Sequence, residues 1–249
     1  RGVNNVVVEK CQAWKMGLVL FQSTYTFSES TREDGKDPLK YSGIRNDDDL
    51  NNNKFILGNY VTDNPNSASI MVAYSKNIVA NNNVILDSSG GISFWGGNLY
   101  EYNAPDLTYY CKNITVNNNI IEDVANGGIW SSRVCDITAS NNVIKRCGDV
   151  GLDYEGTLHG VGTGNVIHDC KNGCLATLYN SQKILFEGNM CVDNGYYENS
   201  QFMLAHTNNS GIKVEIDFRG NTFHATTRVV GTSIQSSSEG KIIIQDNTF

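Results

Sequence analysis

The sequence predicts an all-β fold, a parallel β-helix, and two observations lead to this prediction. First, an Asn followed by two apolar or β-branched residues recurs at a base spacing of 23 or 24 residues, with longer gaps at insertions. Second, each repeat contains three short segments of strand-like sequence. Repeats of this kind stack as a solenoid in which each coil contacts its neighbours. A leucine-rich repeat has a similar period, but its Leu-x-x-Leu-x-Leu pattern is absent.

The first strand of each coil begins at the repeated Asn, the anchor. The anchors are Asn59, Asn83, Asn119, Asn142, Asn165, Asn189, Asn221 and Asn247, and Asn5 is expected to open an earlier copy. The second residue after each anchor forms a predicted interior column: Val61, Ile85, Ile121, Ile144, Ile167, Cys191, Phe223 and Phe249. Adjacent coils lie about 4.8 Å apart, so each of these side chains should pack on the next. The anchors are predicted to form a second column, hydrogen-bonded from coil to coil.

The middle strand lies about ten residues after the anchor, and the third strand precedes the next anchor. Gly151-Leu-Asp-Tyr-Glu155 is one middle strand, and Asn113-Ile-Thr-Val116 is one third strand. Successive side chains of a strand point to opposite faces. The predicted outward residues of the middle strands are Ser93, Trp95, Trp130, Ser132, Asp153, Glu155, Ala176 and Leu178.

Composition limits the possible partners and compartments. The chain has 249 residues, of which 40% are hydrophobic, and this suffices for a single β-helix domain over residues 1–249. A net charge of −7 argues against a nucleic-acid partner. No apolar run reaches the about 18 residues of a membrane span. Because the chain begins without Met inside strand-like sequence, we expect it to be a fragment of a longer protein.

The seven cysteines are scattered, without a Cys-x-x-Cys pair. A zinc site or a dense disulfide scaffold is therefore not expected, and the histidines show no metal spacing. No cofactor is expected either. Cys147 and Cys170 share a column, where a disulfide is possible but a buried thiol stack is favoured. Cys191 is interpreted as a small interior hydrophobe, and synthesis in a reducing compartment fits best.

Three insertions interrupt the repeat, at residues 22–53, 96–112 and 194–202. Loops on a rigid solenoid usually carry function. The second insertion follows a middle strand and the third precedes one. We therefore expect them to rise on opposite sides of the middle sheet and to leave a groove between them.

Asp153 and Glu155 are the predicted catalytic residues. Residues i and i+2 of a strand lie roughly 6.5–7 Å apart at Cα, so two carboxyl groups there can span the roughly 5–9 Å of glycosidase acid pairs. Repulsion between them would raise one pKa, so that one acid donates a proton while the other stays ionised. The alternative is a solvated strand face or an ion pair with Arg133, Lys145 or Arg146.

A second acidic column lies four residues after the anchors and contains Asp63, Asp87, Asp123, Arg146, Asp169 and Asp193. It is interpreted as a turn-capping ladder in which Arg146 relieves Asp123 and Asp169, with a cation or sugar contact as the alternative. Asp123 and Asp149 are secondary candidates for catalytic acids.

Exposed aromatic side chains near the acid pair are expected to stack on sugar rings, because their faces cover C–H surfaces. Burial under the 96–112 insertion, or at a subunit contact, is the alternative for the tryptophans, and a surface turn is the alternative for His159. The predicted substrate contacts are Trp95, Trp130, Tyr100, Tyr102, His159, Tyr197 and Arg133.

The Asn-x-Val/Ile coils, the strand at 151–156 and the segment Asn172-Gly-Cys-Leu-Ala176 resemble the pectate-lyase-like right-handed parallel β-helix superfamily. Within it, the chain is most similar to bacteriophage tailspike depolymerases. The resemblance implies a homotrimer in the virion tail, made in the bacterial cytoplasm and acting outside the cell. It also implies cleavage of capsular or O-antigen polysaccharide by an acid pair, which corresponds here to Asp153 and Glu155. The calcium-binding acidic cluster of pectate lyases is not recognisable, nor is a clear catalytic Arg or Lys.

The sequence therefore predicts an endo-glycosidase that cleaves a bacterial surface polysaccharide. A polysaccharide lyase or uronate epimerase on the same fold is the first alternative, with Lys145, Arg146 or Arg133 as the base. A β-helix adhesin that binds glycans without cleaving them is the second.

Overall fold

The computed structural model describes residues 4–21, 51–65, 68–96, 111–179, 181–197, 200–206, 213–226, 231–236 and 240–249. All regular elements in these residues are β-strands, arranged in three sheets. Each strand pairs in parallel with the corresponding strand of the next coil. The predicted parallel β-helix is therefore confirmed. In the same residues, no helix is long and apolar enough to cross a membrane.

The three sheets follow the three strands of each coil. The first sheet contains β2 (Gln12–Trp14), β5 (Tyr60–Thr62), β8 (Val84–Ser88), β11 (Ile120–Val124), β14 (Val143–Lys145), β17 (Val166–His168), β20 (Met190–Val192) and β23 (Thr222–His224). The middle sheet contains β3 (Val19–Phe21), β6 (Ile70–Ala73), β9 (Ile92–Trp95), β12 (Ile129–Ser132), β15 (Val150–Glu155), β18 (Gly173–Leu178), β21 (Ser200–His206) and β24 (Gly231–Ser236). The third sheet contains β1 (Val6–Glu9), β4 (Asn51–Leu57), β7 (Ser75–Asn81), β10 (Cys111–Asn117), β13 (Val134–Ser140), β16 (Leu158–Thr163), β19 (Gln182–Glu187), β22 (Val214–Arg219) and β25 (Gly240–Gln245).

The anchor asparagines form the predicted ladder. From Asn59 to Asn221, each side-chain Nδ2 donates to the Oδ1 of the next anchor at 2.9–3.0 Å. Each of these Nδ2 groups also donates to a main-chain carbonyl, as Asn142 does to Val116 at 2.9 Å. Buried amides are thereby satisfied at every turn into the first sheet, as their burial requires.

The expectation for Asn5 is wrong. In the first coil the anchor position belongs to Cys11, whose main-chain N donates to Asn59 Oδ1 at 2.9 Å. Asn5 instead precedes the third-sheet strand β1 and accepts a hydrogen bond from Asn53 Nδ2 at 2.7 Å. Asn5 and Asn53 both have positive φ (56° and 53°), so a second Asn column serves the turn before the third sheet. Asn tolerates this left-handed conformation better than most residues.

The interior column of the first sheet is confirmed over most of its length. Its members from Val61 to Cys191 are fully buried, and Phe223 is 4% exposed. Phe249 belongs to the column but is 69% exposed, and it stacks on Phe223 with ring centroids 5.4 Å apart. Further aromatic rings fill the core beyond the acid-bearing coil, where Tyr154 stacks on Phe186 at 5.4 Å.

The acidic turn column is confirmed as a column of turns, because all six residues have positive φ between 46° and 57°. Arg146 contacts Asp123 through Nε at 2.6 Å and also contacts Glu122. Asp169 instead contacts His168, with Oδ2 2.7 Å from the imidazole Nδ1. Arg146 therefore neutralises Asp123 of the preceding coil but not Asp169 of the following coil.

The cysteines correct one expectation. Cys191 forms a disulfide with Cys174, with a Cα–Cα distance of 5.8 Å, and so is not a lone hydrophobe. The two residues belong to different sheets whose interior columns meet, and the column alignment within one sheet does not reveal such a pair. Cys147 and Cys170 remain free, buried thiols in mutual contact, as favoured.

Residues 22–50, 97–110 and 198–199 of the predicted insertions lie outside the described residues. Two predicted substrate contacts, Tyr100 and Tyr102, are among them. Where the predicted insertions end, the structure already has strands. β4 begins at Asn51, β10 at Cys111 and β21 at Ser200.

Candidate active site

The outer face of the middle sheet carries the two predicted acids. β15 pairs in register with β12, which places Asp153 beside Trp130 and Glu155 beside Ser132. The alternate residues Leu152 and Tyr154 are completely buried in the core. Asp153 and Glu155 therefore share the face opposite the core.

Two glycines fit this strand into the coil. A Cβ on Gly151 would lie 2.4 Å from Ile167 Cγ2, so only glycine fits against the core there. Gly156 follows the strand with a φ of 52°, a conformation that glycine adopts without steric cost. The acids are thus held on a strand whose start and end are both fixed by the backbone.

A cavity of about 190 Å³ lies over this face. Its polar lining comes from Asp149, Asp153 and Glu155 together with Ser93 and Asn126, and Trp130 supplies an aromatic wall. Concave sites with a few convergent polar groups and titratable residues are candidate active sites.

Asp153 is the more enclosed acid, with 6% of its surface exposed. Its Oδ1 is buried and makes no hydrogen bond with the described residues. Burial raises the pKa of this carboxyl well above its usual range, and the charges of Glu155 and Asp149 raise it further. These effects favour the protonated, proton-donating form.

Glu155 is less buried and has a hydrogen-bond donor. The pKa of Glu155 is raised to about 7, mainly by burial. A hydrogen bond from Trp130 opposes this rise, and the charge of Asp149 adds to it. A carboxyl group with this pKa is ionised in a substantial fraction of molecules at neutral pH. Two adjacent acids with different environments are the arrangement that separates acid and base roles.

Asp149 is the third acid of the cavity and lies at its exposed edge. Asn172 Nδ2, one coil later, donates to its Oδ1 at 2.9 Å. Ser93, two coils before Asp153, contributes a buried Oγ without a hydrogen bond in the described residues. Ser93 belongs to the predicted outward column and Asp149 is a secondary candidate acid, but no sequence signal predicted that they line one cavity with the acid pair.

The other predicted contacts that the structure describes lie outside the cavity lining. Trp95 belongs to the column of Glu155 and contacts Tyr74 edge-on at 5.4 Å. Tyr197 is 64% exposed, and Lys171 Nζ lies 4.4 Å from its ring centroid. Arg133, another predicted substrate contact, lies at the turn after β12 and is 4% exposed. His159 lies in the third sheet, with Nδ1 2.9 Å from Asp136 Oδ1.

Two of the basic residues considered as partners of the acids are engaged elsewhere. Lys145 Nζ lies 3.1 Å from Glu122, and Arg146 bridges Glu122 and Asp123. These contacts belong to the first sheet and the turn that follows it. Arg133, Lys145 and Arg146 are all absent from the cavity lining among the described residues.

Comparison with known proteins identifies the family. The family described as "Right handed beta helix region" matches residues 1–162 and 107–249. The chain belongs to this family. The right-handed, single-chain parallel β-helix is thereby confirmed. The curated proteins contain no match to the chain.

The solved structures that are similar to the chain include an alginate lyase and a glucanase. One is the alginate lyase from Paenibacillus sp. str. FPU-7, at 12% identity and a TM-score of 0.50, with 80% of this chain and 86% of that chain covered. The other is the catalytic unit of a thermostable GH87 α-1,3-glucanase from Streptomyces thermodiastaticus strain HF3-3. It has 10% identity and a TM-score of 0.34, with 79% of this chain and 56% of that chain covered. At this identity the first likeness shows the shared fold.

Proposed function

We propose that this protein is a polysaccharide-degrading enzyme, an endo-glycosidase that uses Asp153 and Glu155. One observation carries the proposal: two carboxyl groups with raised pKa values share a cavity that has a tryptophan wall. Buried, charge-coupled carboxyl groups cluster at catalytic sites. The family fold and its alginate-lyase and α-1,3-glucanase neighbours are consistent with a polysaccharide substrate.

The two environments suggest the roles. The buried Asp153 donates its proton to the glycosidic oxygen as the bond from that oxygen to the anomeric carbon breaks. The ionised Glu155 either takes a proton from the attacking water or attacks the anomeric carbon itself. The carboxyl separation in the substrate complex decides between these routes. Trp130 positions Glu155 through its indole N–H and offers an apolar face to the sugar.

The charge of the cavity favours hydrolysis over elimination. Elimination from a uronate needs a cation or hydrogen-bond donor at the sugar carboxylate and a base at the adjacent carbon. The described lining offers three acids and no Lys or Arg, and its hydrogen-bond donors, Ser93, Asn126 and the Trp130 indole, carry no charge. A uronate bound here would meet like charges, so we propose a substrate whose unit at the cleavage site is not a uronate.

The test uses D153N and E155Q with a panel of capsular and lipopolysaccharide glycans. New reducing ends without ultraviolet absorbance, lost in both variants, are the expected result. The control is E215Q, which changes an exposed acid of the third sheet. New ultraviolet absorbance would replace the hydrolase with a lyase. Glycan binding that is retained in D153N and E155Q, without cleavage by the wild type or any variant, would favour the adhesin.

We further propose that the chain is a tailspike component that cleaves capsule or O-antigen as a homotrimer on a virion tail. The resemblance at residues 145–180 suggests this, and a column of half-exposed apolar residues on the first sheet is consistent with subunit contact. The column contains Tyr60, Ile120, Val166 and Met190, which are 36–49% exposed. Sedimentation equilibrium should give three times the 27.4 kDa chain mass, and a monomer would refute the trimer. Mass spectrometry of purified particles tests the virion location.

A further inference from the structure

A cluster of three potential metal ligands lies on the third sheet, away from the acid cavity. Cys135 Sγ is 3.2 Å from Asp136 Oδ2, and Asp136 Oδ1 is 2.9 Å from His159 Nδ1. One ligand atom from each residue lies within 4.8 Å of the other two. None of the three lines the acid cavity, so the proposed glycosidase activity does not use them.

The cluster replaces a structural pattern found in the preceding coils. Asp136 and His159 occupy consecutive positions of the turn column that contains Asn53, Asn77 and Asn113. In those earlier coils, amides hydrogen-bond to one another, as Asn113 does to Asn77 at 3.0 Å. The amide pattern ends at Asp136 and His159, beside an outward-facing thiol at the preceding position, Cys135.

We propose that Cys135, Asp136 and His159 bind a zinc-class divalent metal ion, with water completing the coordination. Thiolate and imidazole ligands select Zn²⁺ and similar transition metals, whereas Ca²⁺ and Mg²⁺ prefer an all-oxygen site. Three protein ligands and one open position are typical of zinc sites at which water or another ligand can bind.

The three candidate ligand atoms lie within 4.8 Å of one another, so they must draw closer to bind one ion. With Zn–N and Zn–O bonds of about 2.0–2.1 Å and Zn–S bonds of about 2.3 Å, tetrahedral ligand atoms lie roughly 3.3–3.5 Å apart. The observed contacts of 2.9 and 3.2 Å reach the two different oxygens of Asp136, Oδ1 and Oδ2, whereas an ion would bring the thiol, the imidazole and one carboxylate oxygen together. All three residues precede or occupy left-handed turn positions of a rigid sheet, with φ of 59° at Asp136 and 55° at His159. Binding therefore requires these side chains to rotate about a fixed backbone.

The surrounding charges set the conditions for binding. Lys112 occupies the position of Cys135 one coil earlier, and Lys183 occupies the position of His159 one coil later. These ammonium groups oppose a cation, so binding needs the thiolate of Cys135 and releases a proton. Affinity should therefore rise with pH.

The experiment titrates the untagged 249-residue chain, with the Cys174–Cys191 disulfide intact and the other thiols unoxidised, with Co²⁺, followed by displacement with Zn²⁺. We expect one equivalent to give a thiolate-to-cobalt charge-transfer band and visible bands of tetrahedral intensity, all removed by Zn²⁺. C135S should abolish the charge-transfer band. H159A should weaken binding by more than the roughly 10–100-fold cost of losing an outer-shell partner.

The chain supplies matched controls. C11S removes another exposed thiol. H168A removes another His–Asp contact, in which His168 Nδ1 lies 2.7 Å from Asp169, and which is not part of the three-residue cluster. Both variants should retain the full cobalt spectrum. Absence of the charge-transfer band in the wild type, its survival in C135S, or its loss in C11S or H168A with unchanged circular dichroism would overturn the site.

Discussion

Replacing Glu155 with Gln should make the protein more stable at alkaline pH, because it removes a charge that the fold accommodates poorly. Burial raises the pKa of Glu155 from 4.5 to about 7. When folding raises the pKa of an acid, the protonated side chain contributes to the stability of the folded protein, and this contribution is fully present below the pKa of the unfolded chain. It is lost as pH rises through the folded pKa. The window is therefore about pH 4.5 to 7, and E155Q does not titrate within it.

The expected size follows from the same shift. About 2.5 pKa units at 1.36 kcal/mol each correspond to about 3 kcal/mol between pH 4 and pH 8. Because the charges of Asp153 and Glu155 interact, the value belongs to the pair and is an upper limit. The Gln side chain keeps an oxygen that can accept the Trp130 hydrogen bond, so the packing is conserved.

Urea unfolding followed by circular dichroism at pH 5, 6, 7 and 8 measures the effect. The difference in unfolding free energy between E155Q and wild type should grow with pH, while E215Q should show no such growth. A difference that stays constant or shrinks between pH 5 and pH 8 would refute the raised pKa. It would also remove the electrostatic basis for the catalytic pair.

Three further outcomes are expected. Asn142→Ala removes a side chain that accepts two hydrogen bonds from Asn119 and donates to Val116 and to the next anchor. The substitution should lower the free energy of unfolding by about 3 kcal/mol or more, as measured by thermal unfolding. Trp130→Phe removes the hydrogen bond that lowers the Glu155 pKa, so the acidic limb of the kcat/KM profile should move to higher pH. Arg146→Gln breaks exposed ion pairs and should change the unfolding free energy by less than about 1 kcal/mol, with activity unchanged.

The fold was predictable because one period controls every coil. A fixed spacing of anchors determines which residues stack, and strand alternation then determines which residues face outward. This reasoning placed Asp153 and Glu155 on the outer face, where the structure has them. Both steps depend on local geometry, so neither needs knowledge of distant contacts.

Features that depend on relations between sheets were not predictable in this way. The Cys174–Cys191 disulfide joins columns of two sheets, and the burial of Arg133 depends on its position at the corner between two sheets. The Asn5 error has a related cause, because two turns of each coil use Asn and the sequence pattern does not distinguish them. The burial of Asp153 depends on how the surrounding residues close over the cavity, which strand alternation does not determine.

The Asn ladder constrains how this chain can change in length. Each anchor from Asn59 to Asn221 donates through both its main-chain N and its Nδ2 to the Oδ1 of the following anchor, so all bonds run in one direction. Removal of a whole repeat, such as residues 119–141, would bring Asn83 against Asn142 and preserve this pattern. Removal of part of a repeat would leave buried donors without an acceptor. Gene duplication or deletion can therefore move the acid cavity along the axis, relative to the insertions, in steps of one coil or about 4.8 Å.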